Sequence, residues 1–85
     1  MKDIDTVLKR IISEVAETEV LIENISEDTN LISELEFNSI ITIKLIVEIE
    51  KEFRIVTDEE ALNKELFEKY GNLKKYVMQS IGTGT

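Results

Sequence analysis

The 85-residue chain contains no cysteine and no histidine. The first absence excludes disulfides, thiolate metal sites and an intrinsic thiol nucleophile; the second removes the usual base at neutral pH. Any such chemistry has to be imported. Proline is missing as well, so no helix is kinked by that route. From Met1 onward charged residues alternate with apolar ones, and without an uninterrupted apolar core the N-terminus reads as neither a signal peptide nor a membrane span. The default address is the cytoplasm. Strand-like alternation persists nowhere, and no internal repeat appears.

Apolar residues make up 42% of the chain and charged residues 33%, the balance of a folded protein rather than a disordered tail. A chain of this size suits one domain, residues 1–85, that buries only about 60% of the surface its unfolded form exposes. Eighteen acidic against ten basic residues give a net charge of −8, which repels phosphate backbones and anionic lipid and favours basic partner surfaces. Nucleic-acid binding is not expected. Acidity that merely keeps a small monomer soluble accounts for the same composition.

Ile4, Val7, Leu8, Ile11, Ile12 and Val15 fall at steps of three, one and three, the spacing of one helical stripe, with Asp3 or Asp5 as its cap. From Thr18 to Asn38 the period fades, and Ser26-Glu27-Asp28-Thr29-Asn30 supplies side chains that compete for backbone hydrogen bonds and favour turns. A connection of about twenty residues is uncommon in a small domain and needs anchoring, for which Ile25, Leu31 and Leu35 are the candidates. A second helix is predicted from Asn38 or Ser39 to Phe53, with Leu45, Ile46, Ile49 and Phe53 as its buried stripe. Thr57-Asp58-Glu59-Glu60 reads as a capping box opening a third helix that carries Ala61, Leu62, Leu66 and Tyr70 inward and stops near Gly71. Asn72 then caps a short last helix bearing Leu73, Tyr76, Val77 and Ile81, and residues 82–85 form a frayed tail. The fold class expected is an all-α bundle of four helices with a long loop between the first two.

The second helix is too apolar for one buried stripe. Ile40, Ile43 and Val47 gather on a flank beside Ser39, where burial under the long connection and an exposed docking patch are both open. Ile41 projects among Lys44, Glu48 and Glu52 and reads as a single exposed isoleucine. Ser39 by itself reads as a helix cap, a role in which serine is among the best residues, although Asn38 could fill it.

Leu35-Glu36-Phe37-Asn38-Ser39-Ile40, followed by an apolar helix ending Glu50-Lys51-Glu52-Phe53, resembles the phosphopantetheine attachment region of acyl and peptidyl carrier proteins. The likeness extends to Asp28-Thr29-Asn30-Leu31 upstream, to Phe53-Arg54-Ile55 downstream, and in length and helix order to nearly the whole chain. The resemblance implies a bundle of the acyl-carrier-protein type in which Ser39 is joined through a phosphodiester to 4′-phosphopantetheine, whose thiol carries acyl, aminoacyl or peptidyl groups as thioesters. It implies three sets of partners: a phosphopantetheinyl transferase, a ligase that loads the arm, and synthase or transferase enzymes of fatty acid, polyketide, lipid or nonribosomal peptide biosynthesis. Ile40, Ile43, Val47 and Glu48 are then the partner-binding residues. Physics agrees with the placement, because the first turn of a helix leaves amides without internal partners and concentrates partial positive charge.

Four positions depart from the family pattern. Asn38 replaces the usual aspartate, keeping its shape and capping ability without its charge. Glu36 stands where glycine is common, so the turn before the helix is expected to avoid positive φ. Ile41 and Lys44 occupy positions where fatty-acid carriers usually show acidic residues, which dilutes the stripe of Glu48, Glu50 and Glu52 and suggests partners that grip by apolar contact in a specialised pathway. An initial methionine favours a free-standing carrier.

Other classes lack their parts. Asp28-Thr29-Asn30 opens like a calcium loop, but Ser33 stands at the sixth position in place of glycine and Ser39 at the twelfth in place of glutamate. No metal site is expected, nor is catalysis by the chain itself, since no nucleophile has a base in a supporting motif. The rival reading is an unmodified acidic adaptor in which Ser39 caps a helix and Ile40, Ile43 and Val47 dock on one protein partner.

Overall fold

Asp3 opens the first helix, α1 (Ile4–Val15), with its carboxylate accepting from the Asp5 amide at 3.2 Å and the Thr6 hydroxyl at 2.8 Å. Those bonds fill acceptor demand that helix starts leave open. Val7, Leu8, Ile11 and Ile12 are buried along one face, the stripe the spacing predicts. In this computed structural model, which describes residues 3–58, 60 and 62–83, α1 is followed by a 3₁₀ turn (Ile22–Asn24) and then by α2 (Ser39–Phe53), α3 (Lys64–Glu68) and α4 (Tyr70–Thr83). The described residues contain no strand, and the architecture is the all-α bundle of the acyl-carrier-protein type.

The long connection is held by main chain as well as by side chains. Ile25 and Leu31 are buried and Leu35 is half-buried, as anticipated. In addition, the Leu31 amide donates to the Phe67 carbonyl at 3.0 Å, the Tyr70 amide to the Thr29 carbonyl at 2.8 Å, and the Gly71 amide to the Glu27 carbonyl at 2.9 Å. Three backbone bonds thus staple the connection to the α3–α4 junction, which explains how a long loop stays ordered in a small domain.

Gly71 has a different task from the one predicted. It lies inside α4 rather than ending α3, and a Cβ there would stand 3.1 Å from the Glu27 carbonyl oxygen. Close approach of the connection, not helix termination, requires the glycine. Asn72 does not cap α4 either; its side-chain amide donates to the Glu65 carbonyl at 3.0 Å. The helix runs through Gly82 to Thr83, past the point at which the sequence predicts fraying, and residues 84 and 85 lie outside the described residues.

The capping box is also corrected. Both the amide and the hydroxyl of Thr57 donate to one carboxylate oxygen of Glu50, each at 2.9 Å, so the threonine clasps the end of α2 instead of opening α3. That pair of donors holds the Glu50 carboxyl below its ordinary range. Asn63 starts α3, its side chain accepting from the Leu66 amide at 3.2 Å, and Leu66 and Phe67 are buried. Glu59 and Ala61, which the sequence assigns to this helix, lie outside the described residues.

Tyr70 joins α1 to α4. Its ring is buried, its hydroxyl donates to the Asp5 carboxylate at 2.7 Å, and the Lys9 and Lys74 ammonium groups lie 5.6 and 5.9 Å from the ring centroid. Lys74 also pairs with Glu27 of the connection. The Tyr70 hydrogen bond, with Lys9 and Lys74 beside it, keeps the Asp5 carboxyl below its usual range; burial and that same carboxylate push the Tyr70 phenol well above its own.

Candidate functional site

Three features set the start of α2. Glu36 adopts φ 56°, the left-handed backbone that the sequence was expected to avoid, and thereby turns the chain so that Phe37 enters the core. A left-handed non-glycine residue costs on the order of 1–2 kcal/mol, which burial of Phe37 offsets with about 1.5–3 kcal/mol. Asn38 is the cap: its side-chain oxygen accepts from the Ile41 amide at 3.0 Å and its carbonyl from the Thr42 amide at 2.9 Å. Ser39, the first residue of the helix proper, is exposed, and its hydroxyl has no hydrogen-bond partner among the described residues.

The cap and the free hydroxyl are therefore separate residues. No carboxylate stands in the first turn of α2, and the amides of Ser39 and Ile40 meet no acceptor among the described residues. An anion attached to Ser39 would sit beside unpaired donors at the positive end of a 15-residue helix, a placement worth about 0.3–1 kcal/mol when solvent-exposed.

Ile40, Ile43 and Val47 are 64%, 62% and 40% exposed, so the long connection leaves the flank uncovered. Ile41 is the correction on this helix: it is 2% exposed and shares the core with Leu31, Phe37 and Leu45. It lies one helical step of four before Leu45, and the incoming chain closes over that row at the first turn. Glu48 is half-exposed and lies 3.8 Å from Lys51 of the same helix, a pair of little energetic weight.

Ser39 borders a cleft of about 600 Å³ between α2 and the segment running from Thr57 to Phe67. Ile46, Val47, Leu62 and Phe67 supply apolar walls, with Glu50 and Lys64 among the polar groups. A second hollow, of about 430 Å³, lies on the other side of the flank against the end of α1 and is lined in part by Glu14, Lys44 and Glu48. Ile43 and Val47 line both and form the ridge between them. The far wall of the first cleft was missed by sequence reasoning because the false capping box moved α3 too early; Asn63, three residues before Leu66, was the available signal.

A family model for the phosphopantetheine attachment site matches residues 6–77, most of the chain. The chain belongs to that family, the acyl and peptidyl carrier proteins, whose members hold 4′-phosphopantetheine covalently on a serine. It is a phosphopantetheine-carrying carrier domain that works with modifying and synthase enzymes. No curated protein matches the chain. Among the described residues no helix is long and apolar enough to cross a membrane, and no cluster of potential ligands that could hold a metal ion occurs.

Proposed function

We propose that Ser39 is the serine that carries the arm, and that this chain presents thioester-bound acyl, aminoacyl or peptidyl intermediates to partner enzymes without catalysing a reaction itself. The observation that carries the proposal is the division of labour at the start of α2, where Asn38 caps the helix and leaves the Ser39 hydroxyl exposed and unbonded. Of the four serines within the matched residues, Ser39 stands in the first turn of a helix, whereas the Ser13 hydroxyl donates to the Arg10 carbonyl at 2.8 Å, Ser26 is engaged with Thr29, and Ser33, though exposed, lies in a turn of the long connection with no helix start beside it. No base of the described residues bonds the Ser39 hydroxyl. Removal of its proton falls to the transferase, which joins the oxygen to phosphorus as the nucleotide part of coenzyme A leaves.

Once bound, the group supplies a terminal thiol that the chain lacks. The chain's own contribution is to keep the attachment oxygen at the surface, to offer first-turn amides to the phosphodiester, and to present an apolar ridge. Ile40, Ile43 and Val47, with Glu48 at the margin, meet the phosphopantetheinyl transferase, the loading ligase and the synthase enzymes in turn. Lys44 and the uncovered isoleucines favour apolar gripping over a carboxylate code, and with it a dedicated peptide, polyketide, aminoacyl or lipid pathway. Ile41 contributes nothing to that surface, being buried. The carrier acts as a monomer in the cytoplasm.

Coexpression with a broad-specificity phosphopantetheinyl transferase, followed by intact-mass measurement, tests the assignment. Wild type gains the mass of one phosphopantetheine and Ser39→Ala gains none. If wild type gains nothing, the chain is an unmodified adaptor; if Ser39→Ala still gains it, another residue holds the arm.

A further inference from the structure

Among the described residues, the cleft that begins at Ser39 has one cation on its wall, Lys64, and that cation has no partner there. The Lys64 side chain forms no ion pair or hydrogen bond with a described residue; those of Lys44, Arg54 and Lys75 share that state, but of the four Lys64 alone lines the cleft with Ser39. The other charged residue of the cleft, Glu50, has one oxygen held by both donors of Thr57 and does not pair with Lys64. Lys64 is also set against local preference: it is the first residue of α3, directly after the Asn63 cap, where a carboxylate rather than an ammonium suits the helix. A residue that breaks a local rule without a compensating contact in the chain points to a contact outside it. The chain carries a net charge of −8, so any anion added to it meets general repulsion that a nearby cation relieves.

We propose that Lys64 is a positioning residue for the arm: its ammonium, on a flexible four-carbon stem across the cleft from Ser39, pairs with the phosphodiester and biases the arm to leave Ser39 along the cleft. This rests on Ser39 being the attachment residue. The first-turn amides of α2 and the Lys64 ammonium would both be offered to the phosphate, and the ion pair would carry a single charge on each partner. Its consequence is direction. An arm drawn along the cleft starts between Lys64 and the apolar ridge of Ile43 and Val47, on the face that partner enzymes meet.

The test compares wild type, Lys64→Arg, Lys64→Gln and Lys64→Glu, each as the unmodified and the phosphopantetheine-bearing protein, by thermal melting and by the ³¹P resonance of the phosphodiester. Unmodified variants melt close to wild type, because Lys64 is exposed and holds no partner among the described residues. Attachment of the arm is then less favourable to Lys64→Gln than to wild type by about 2–4 °C in melting temperature, and less favourable again to Lys64→Glu. The ³¹P line shifts in both, Lys64→Arg behaves as wild type, and the differences shrink in 0.5 M salt, where the screening length falls to about 4 Å. Equal melting changes on attachment and an unmoved ³¹P line in all four proteins overturn the role of Lys64 while leaving Ser39 as the attachment residue. Absence of any mass gain on wild type overturns both.

Discussion

Replacing Asn38 by alanine takes the acceptor from the Ile41 amide and leaves the start of α2 without its side-chain cap. Loss of an N-cap of this kind costs about 1 kcal/mol, within a range of about 0.5–2. For a domain of this size that corresponds to a fall of about 4–8 °C in melting temperature. Ser39→Ala, one residue on, removes a hydroxyl that bonds to nothing described and introduces a slightly better helix former, so its stability stays within about 0.5 kcal/mol of wild type. Asn38→Asp, which keeps the capping oxygen, melts with wild type or slightly above it. Thermal and urea unfolding of the unmodified proteins, followed by circular dichroism, separates the two roles without any partner enzyme. A loss at Ser39→Ala equal to that at Asn38→Ala, or no loss at Asn38→Ala, would refute the division of cap and attachment residue, and the free hydroxyl would have to be reassigned as a structural one.

The exposed ridge and the buried row of α2 respond oppositely to charge. Ile40→Glu and Val47→Glu leave helicity and melting within about 0.5 kcal/mol of wild type and slow arm attachment or later transfer at least tenfold, whereas Ile41→Glu buries a carboxylate among Leu31, Phe37 and Leu45 and unfolds the domain. Tyr70→Phe removes the donor to Asp5 and costs about 1.5 kcal/mol at neutral pH, the low end for a charged hydrogen bond because the carboxylate is partly exposed. Asp5 ionises below its usual range in the folded chain, so its contribution is fully present above about pH 4 and is lost as pH falls through the depressed folded value. Unfolding titrations of Tyr70→Phe therefore show a shallower loss of stability on acidification than wild type, and an unchanged acid slope counts against that hydrogen bond.

Most of the helical content was legible because periodicity is a local property. The stripe from Ile4 to Val15, the span from Ser39 to Phe53 and the anchors Ile25 and Leu31 follow from three- and four-residue spacing that places side chains on one row wherever the helix goes. The errors share a cause. Thr57, Gly71 and Asn72 carry residue types with strong local meanings, and each is used for a contact outside its own helical turn: Thr57 with Glu50, Gly71 with Glu27, Asn72 with Glu65. Glu36 was expected to avoid a backbone state that its own side chain disfavours, and the gain from sinking Phe37 outweighs the local cost.

What the amino-acid order determined unaided is that the two long segments of α1 and α2 coil, where the second helix begins, and that one serine stands at its mouth in the pattern of a carrier domain. Tertiary structure alone decided which of Asn38 and Ser39 caps that helix, which isoleucines of α2 face water, and that Lys64 lines the same cleft as Ser39. The physical reason is range. Helix formation is governed by neighbours three and four residues away, whereas burial and pairing are settled by segments that only folding brings together.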